Sequence, residues 1–246
     1  MTSQNYSRLN HHGCSAILIN KLQSIIPMPD RKEQPIVFTE KTTIPRLVLI
    51  IGGARSGKSS FAEQLAASSG RPVAFIATAT ADDDEMRERI ARHRASRPRQ
   101  WHTLEEPLDL SGAIRWASEL ADVLLLDCVT LWLGNVLTQA SKQHEKDDKE
   151  EEVEEPSLPG RLFDEKALKE IEALLTVVKS LAPGKTLIVV TNEVGLGVVP
   201  AYPLGRLYRD TLGYVNQQLA RAADRVYLMV AGIAVDIKRL NEEASL

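Results

Sequence analysis

The segment Gly52–Ser59 has the residue types and the spacing of a polyphosphate-binding loop. Its glycines permit a tight turn whose backbone N–H groups point inward, and these donors hold phosphate oxygens together with the N-terminus of the following helix. Lys58 would reach the β- and γ-phosphates, and the Ser59 hydroxyl would bind Mg²⁺. The predicted phosphate contacts are Gly52, Gly53, Ala54, Arg55, Ser56, Gly57, Lys58 and Ser59. The alternative is a glycine-rich turn without a ligand. The motif predicts nucleotide binding and leaves open a kinase, a nucleoside triphosphatase or a nucleotidyltransferase.

A carboxylate that completes such a site is expected at the end of another buried strand. Asp127 follows the aliphatic run Val123–Leu126 and fits this position. It is also a candidate N-cap for the helix that follows, and one side chain can serve both purposes. The neighbouring Cys128 is predicted to be a small core residue rather than a nucleophile.

The segment Asp83–Arg99 places His93 between Arg92 and Arg94, with further arginines on both sides. Neighbouring cations favour the neutral imidazole, which is the form that a nucleophile requires. The arginines would hold phosphate oxygens while His93 attacks an α-phosphate, giving a phosphoramidate. Taken alone, the segment favours the other interpretation, a solvated charged helix with one surface histidine.

Five aliphatic runs predict buried strands, and segments of helical periodicity separate them. The predicted strands are Leu47–Ile51, Val73–Ala77, Val123–Asp127, Thr186–Thr191 and Val226–Val230. The predicted helices are Lys58–Ser68, Asp82–Ala95, Leu108–Leu120, Thr130–Gln139, Arg161–Leu181 and Leu204–Ala223. This alternation predicts an α/β fold of the P-loop NTPase-like class, with a mostly parallel sheet and helices on both faces. Ligands bind such folds at the carboxyl edge of the sheet.

Two segments depart from this pattern. Residues 1–45 are polar with scattered prolines, which predicts a flexible N-terminal extension before a single domain over 46–246. An acidic insertion is predicted at about 141–160, because Glu145–Glu155 holds eight acidic and two basic residues. Since like charges repel and little apolar surface is available to bury, this insertion is expected to be mobile.

The composition excludes several classes of protein. The chain has 246 residues, of which 43% are hydrophobic and 26% charged, so it is not collagen-like, a disulfide scaffold or wholly disordered. Its aliphatic runs are far shorter than the ~20 residues that span a bilayer, and no secretory signal is expected. Cys14 and Cys128 show no zinc-binding spacing. A net charge of −3 indicates no nucleic-acid partner, and we expect a cytoplasmic protein.

Several further motifs occur in a distinctive order with the phosphate loop. They are Ile76-Ala77-Thr78-Ala79, Asp84-Glu85-Met86, Arg89–Arg94, Leu126-Asp127-Cys128, Thr191–Pro200, Arg209-Asp210, Gly213–Gln217 and Ala231-Gly232-Ile233. With these motifs the chain resembles, over about residues 46–238, the bifunctional adenosylcobinamide kinase / adenosylcobinamide-phosphate guanylyltransferase family. Ordered motifs over that length are far more specific than the phosphate loop alone.

The resemblance implies two linked reactions. ATP or GTP phosphorylates the aminopropanol hydroxyl of adenosylcobinamide, and GTP then gives GMP to an enzyme histidine, from which the phosphorylated cobinamide takes it. By position, His93 would be the guanylylated residue and Lys58 would act with it in catalysis. Mg²⁺ would lie at Ser59 and Asp127, and the protein would be a homo-oligomer, a trimer in this family. Beyond the phosphate loop, the implied nucleotide contacts are Ala77, Thr78, Ala79, Arg94, Ala95, Ser96, Arg97, Glu105 and Asp127.

Two other functions remain open from the residues themselves. One is a simple P-loop small-molecule kinase in which His93 is a bystander, and the other is a nucleotide-dependent regulatory module without transfer chemistry. Glu193, in the Thr191–Pro200 motif, is either a catalytic carboxylate or an ordinary hydrogen-bond acceptor. Trp101 is predicted to pack in the core rather than to bind a ring.

Overall fold

A seven-stranded sheet in the order β3-β2-β4-β5-β1-β6-β7 forms the centre of the fold. The computed structural model describes residues 44–80, 84–150 and 160–244. The strands are β1 (Leu47–Gly52), β2 (Val73–Ala77), β3 (His102–Glu105), β4 (Val123–Asp127), β5 (Thr186–Asn192), β6 (Arg225–Val230) and β7 (Ile233–Asp236). All neighbouring strands are parallel except β6 and β7. The carboxyl ends of β1 through β6 therefore lie at one edge.

Seven helices are present among the described residues. They are α1 (Lys58–Ser68), α2 (Asp84–Ser96), α3 (Leu110–Leu120), α4 (Val129–Glu150), α5 (Gly160–Ser180), α6 (Pro203–Ala222) and α7 (Ile237–Glu243). The six predicted helices are confirmed, and their starts agree with the structure to within two residues. The short α7 was not predicted.

The alternation of side chains along the strands divides the core between the two faces of the sheet. Leu47 and Leu49 of β1 belong to a cluster that α3, α4, α5 and α6 complete. Val48 and Ile50 point the other way, into a smaller cluster with Ala62 and other residues of α1. Both faces are therefore covered, which explains why the central strands are continuous aliphatic runs. The predicted P-loop NTPase-like α/β fold is confirmed.

Two edge strands, β3 and β7, were not predicted from the sequence. Strand β3 is short and polar, and it pairs with β2 on one side only. Strand β7 returns along β6 after a tight turn in which Ala231 and Gly232 have φ values of 50° and 81°. Edge strands need no buried aliphatic run on both faces, so the pattern that marks the central strands is absent from them.

Helix α4 corrects the predicted extent of the acidic insertion. The prediction ended this helix at Gln139 and treated Ser141 onward as mobile, whereas the helix continues to Glu150. Lys, Gln and Glu are good helix formers, so a charged composition does not by itself end a helix. The rest of the insertion, residues 151–159, lies outside the described residues, as does the predicted N-terminal extension up to residue 43. Across the described ranges, no helix has the length and apolar character that crossing a membrane requires.

Candidate active site

The phosphate loop connects the end of β1 to the start of α1 at the carboxyl edge of the sheet. Ser56 and Lys58 are buried within it. The Lys58 ammonium donates a hydrogen bond to the Gly53 carbonyl (2.6 Å), so its charge lies against the loop backbone. Gly57 precedes the helix with a φ of 95°, a left-handed conformation that glycine adopts without strain. The predicted strand–loop–helix context of the motif is confirmed.

Position 52 requires glycine because the neighbouring strand leaves no room for a side chain, and not because of its φ angle. A Cβ atom at this position would lie 2.5 Å from the Met229 carbonyl oxygen of β6. The two strands pair directly, with Gly52 opposite Met229, so the backbone cannot yield easily. The first glycine of the motif thus lets the loop leave the sheet beside β6.

A cavity of about 80 Å³ opens beside this loop and brings together part of the predicted site. Eight predicted site residues line it: Ser59, Ala77, Ala79, His93, Arg94, Arg97, Glu105 and Asp127. Phe75, Met86, Ile90, Cys128 and Leu131 complete the wall. Strands and helices that are separated in sequence therefore place the histidine, the arginines and the carboxylates around one space.

One side of helix α2 faces this cavity. Met86, Ile90 and His93 follow the helical repeat and all line the wall, with His93 half-buried. Arg94 lies at the mouth, where its guanidinium is 3.6 Å from the Glu105 carboxylate and both side chains are exposed. The unpredicted strand β3 explains this contact, because it pairs Glu105 with Ala77 at the end of β2.

Arg97 is largely enclosed, with a side chain that is 11% exposed. Its guanidinium carbon lies 3.3 Å from the centre of the Phe75 ring, so the planar group stacks on the aromatic face. Its Nε lies 3.8 Å from Oε1 of Glu63, which stands on α1 one turn after Ser59. The sequence analysis missed both Glu63 and Phe75. The four-residue spacing from Ser59 to Glu63 on one helix was the signal that could have revealed the former.

The electrostatics of the cavity follow from burial and from a concentration of charge. Burial lowers the pKa of Arg97, while Glu63 and Asp127 oppose that shift by favouring its charged form. Burial also raises the pKa of Glu63, and the nearby Asp127 adds to this while Arg97 counters it. The pKa of Cys128 is raised to about 12 by burial and by Asp127, so its thiol stays protonated, which agrees with the prediction that it is not a nucleophile.

Thr78 contributes to the structure around the site through buried hydrogen bonds. It is fully buried, and its hydroxyl both donates to the Cys128 carbonyl (2.7 Å) and accepts from the Cys128 N–H (2.9 Å). Asn135 of α4 donates to the Thr78 carbonyl (2.8 Å). The side chain of Thr78 therefore holds the end of β2 against the Asp127–Cys128 segment and does not line the cavity.

Several other predicted site residues are not in the wall of the cavity. Ala54 and Arg55 are exposed at the top of the phosphate loop, and Ala95 is exposed on α2. The side chain of Ser96 lies outside the described part of the chain. Trp101 is half-buried and packs against the cluster on the α1 face, as predicted.

The donors around Ser59 and Asp127 suit a hard divalent cation. Both residues line the same cavity and offer a hydroxyl and a carboxylate oxygen, which Mg²⁺ prefers. No group of three or more His, Cys, Asp or Glu residues able to hold a metal occurs among the residues that the structure describes. A site with few protein ligands is typical of Mg²⁺ that is shared with substrate phosphates.

Comparison with protein families decides between the classes that the geometry allows. Residues 48–237 match the model of the family described as "Cobinamide kinase / cobinamide phosphate guanyltransferase". The chain belongs to this family. The cobinamide kinase / cobinamide phosphate guanyltransferase family match spans the phosphate loop, His93 and Asp127, so the resemblance seen in the motifs is confirmed.

Curated relatives agree over the same region. The chain is 47% identical over 190 residues to the bifunctional adenosylcobalamin biosynthesis protein CobP of Pseudomonas aeruginosa, a match that covers 77% of this chain and 96% of the relative. It is 40% identical over 192 residues to the bifunctional adenosylcobalamin biosynthesis protein CobU of Escherichia coli. This match covers 78% of this chain and 99% of the relative. The two alignments therefore cover nearly the whole length of these relatives and about three quarters of this chain.

Solved structures similar to this chain are distant in sequence. A prototypical ATPase from the type III secretion system of pathogenic bacteria is 10% identical, with a TM-score of 0.45 and coverage of 79% of this chain and 57% of that one. The flagellar accessory protein FlaH from Methanocaldococcus jannaschii is 14% identical, with a TM-score of 0.40 and coverage of 76% and 74%. The fold class itself follows from the strand order and the phosphate loop of this chain.

Proposed function

We propose that this protein phosphorylates adenosylcobinamide with ATP or GTP and then transfers GMP from GTP to the product, by way of His93. The end product is adenosyl-GDP-cobinamide, an intermediate in adenosylcobalamin biosynthesis. The observation that carries the proposal is that His93 lines the same cavity as Ser59 and Asp127. Family membership supplies the class of reaction, and this cavity supplies the residues.

In the kinase step, an oxygen of the acceptor forms a bond to the γ-phosphorus and the bond to the β-phosphate oxygen breaks. Lys58 and the N–H groups of Gly53–Ser59 hold the β- and γ-phosphates. Ser59 and Asp127 would hold Mg²⁺, which when bound neutralises phosphate charge. The nucleoside diphosphate is the leaving group.

In the guanylyl step, a neutral ring nitrogen of His93 attacks the α-phosphorus of GTP. The N–P bond forms as the bond to the β-phosphate oxygen breaks, and pyrophosphate leaves. Arg94 and Arg97 stabilise the charge that develops on the phosphate oxygens. A phosphate oxygen of the phosphorylated acceptor then displaces the histidine, which restores the free enzyme.

We propose further that Glu105 and the Ala77–Ala79 segment contact the nucleotide, since the pairing of β2 with β3 brings them to the mouth of the cavity. Thr78 contributes through its buried hydrogen bonds rather than by contact of its side chain. The protein is a cytoplasmic homotrimer in this proposal. Light scattering of the purified protein tests the trimer, because each chain has a mass of 27.2 kDa.

Radiolabelled GTP tests the two-step transfer. Incubation of the full-length protein with [α-³²P]GTP and Mg²⁺ should label the protein with GMP through a bond that is labile in acid and stable in base, as a phosphoramidate is. His93→Ala should lose the label and keep the circular dichroism spectrum of the wild type. His102→Ala is the matched control, because His102 is exposed on β3 and does not line the cavity.

The same experiment distinguishes the other functions. A simple small-molecule kinase would transfer phosphate from ATP in the His93→Ala variant as in the wild type and would take up no GMP. A regulatory module would bind GTP and show no turnover with cobinamide. Absence of label on the wild-type protein under turnover conditions would contradict the role of His93.

A further inference from the structure

The loop that follows β5, Glu193–Tyr202, begins at the centre of the candidate site. Strand β5 lies between β1, which carries the phosphate loop, and β4, which carries Asp127. In the register of the sheet, Asn192 lies opposite Gly52 and Val190 lies opposite Asp127. The next residue, Glu193, donates its backbone N–H to the Gly52 carbonyl (3.0 Å). Glu193 therefore stands at the edge where the phosphate loop begins.

Both ends of this β5–α6 loop are fixed by hydrogen bonds. At its start, the Asn192 N–H donates to Thr130 Oγ1 (2.8 Å) just after Asp127, and the Asn216 amide donates to the Asn192 carbonyl (3.0 Å). At its end, Arg206 donates to the carbonyls of Pro200 (3.1 Å) and Ala201 (2.8 Å). The positions of its side chains thus follow from an anchored backbone.

The anchored loop exposes an unusual amount of apolar surface. Leu196, Val198, Val199 and Tyr202 are 89%, 96%, 59% and 65% exposed, respectively. Four large apolar side chains within seven residues form a patch of the kind that marks a binding surface. Glu193 is the only charged residue in the loop, at the end next to Gly52.

The side chain of Glu193 is directed by the loop itself. Its Oε1 accepts a hydrogen bond from the Gly195 N–H (2.5 Å), so the carboxylate is held over the root of the loop. A carboxylate so placed is suited to accept a proton from an alcohol that approaches the γ-phosphate.

We propose that the β5–α6 loop is the acceptor site of the kinase step: its apolar side chains hold the corrin macrocycle, and Glu193 accepts the proton of the aminopropanol hydroxyl. The proposal rests on the proposed function. As the hydroxyl oxygen bonds to the γ-phosphorus, its proton passes to the Glu193 carboxylate and the nucleoside diphosphate leaves. The neutral carboxyl group then returns its proton to water.

The chemistry of the acceptor favours it over a second copy of the chain as the occupant. A corrinoid is a broad, largely carbon macrocycle, which suits four apolar side chains around a single carboxylate. The cobalt(III) centre gives adenosylcobinamide a net positive charge, which complements Glu193. The surface is also continuous with the phosphate loop through the Glu193–Gly52 hydrogen bond, and the acceptor hydroxyl has to meet the γ-phosphate there.

Two variants separate the acceptor site from the guanylyl site. We expect Glu193→Gln to lower kcat for phosphorylation of adenosylcobinamide by about 10²–10⁴-fold, the range typical of a lost general base. GMP labelling from GTP should be unchanged. The double variant Leu196→Ser/Val198→Ser should raise KM for adenosylcobinamide about tenfold or more, with KM for ATP and GMP labelling unchanged. Leu240→Ser, at an exposed site on α7, is the control and should match the wild type.

GMP labelling serves as the internal test of folding for each variant. Wild-type phosphorylation by Glu193→Gln would overturn the role of this carboxylate. An unchanged KM for adenosylcobinamide in the double variant, with a change in molecular mass by light scattering, would assign the patch to contact between copies of the chain. A wild-type protein that neither labels nor phosphorylates would instead contradict the proposed function.

Discussion

Nε of Arg97 and Oε1 of Glu63 lie 3.8 Å apart, both atoms are buried, and neither has a hydrogen-bond partner among the residues that the structure describes. The pair is close enough for attraction and too far apart for a hydrogen bond. Stacking on Phe75 fixes the plane of the guanidinium, and the Glu63 charge attracts one of its edges. Since Arg97 also lines the cavity, Glu63 is placed where it can orient Arg97.

Glu63→Ala should raise KM for GTP and also lower the free energy of unfolding. Without the carboxylate, the guanidinium loses its opposite charge in a buried place, so we expect the free energy of unfolding to fall by about 1–3 kcal/mol. KM for GTP in the labelling reaction should rise about tenfold, because Arg97 is no longer oriented. Urea denaturation and initial labelling rates measure the two effects. Gln64→Ala, at an exposed site on the same helix, should change neither, and an unaltered KM for GTP in Glu63→Ala would refute the orienting role.

The two glycines at the start of the phosphate loop should differ sharply in their tolerance of alanine. In Gly52→Ala, the new methyl group meets the Met229 carbonyl oxygen at 2.5 Å, and we expect a loss of about 1–3 kcal/mol or more in the free energy of unfolding. In Gly53→Ala, nothing lies within 4 Å of the added Cβ, so the change should be within about 0.5 kcal/mol. Denaturation in the absence of nucleotide measures the free energy of unfolding of each variant. Equal stability of the two variants would mean that β1 and β6 can separate enough to accept the added methyl group.

Thr78→Val should destabilise the end of β2. Valine has nearly the shape of threonine but leaves the Cys128 N–H without its hydrogen-bond partner, at a cost of about 1–3 kcal/mol, whereas the Cys128 carbonyl keeps the Trp132 N–H. Thr138→Val is the control, because Thr138 is exposed and its hydroxyl donates to the Gly134 carbonyl of the same helix. Thermal denaturation of both variants measures the difference. A Thr78→Val protein as stable as the wild type would indicate that this hydroxyl is not essential to the β2–β4 junction.

Cys128 should resist alkylation in the folded protein. Because its pKa is raised from 9.0 to about 12, hardly any thiolate exists at pH 8. In a Cys14→Ser background, iodoacetamide should modify Cys128 slowly in buffer and rapidly in urea, as followed by mass spectrometry. The raised pKa also means that stability falls as the pH rises from about 9 towards 12, since only the unfolded chain loses the proton over this range. Rapid modification of the native protein would show that the thiol is accessible and ionised.

The sequence alone determined the central strands, the phosphate loop and the family. Aliphatic runs such as Val123–Leu126 specify buried parallel strands because both of their faces must be covered, and the loop motif restricts the backbone through its glycines. Helical periodicity likewise predicted α2, the helix that carries His93. These features are local, so a single segment contains the information.

Only the tertiary structure determined which distant side chains meet. Glu63 lies beside Arg97, and Glu193 lies beside Gly52, because the strand order places β5 between β1 and β4 and α1 starts at the same edge. Nothing in the spacing of those residues encodes that order. Strand β3 shows the same limit, since its four residues become a strand only by pairing with β2, and that pairing carries Glu105 to the mouth of the cavity.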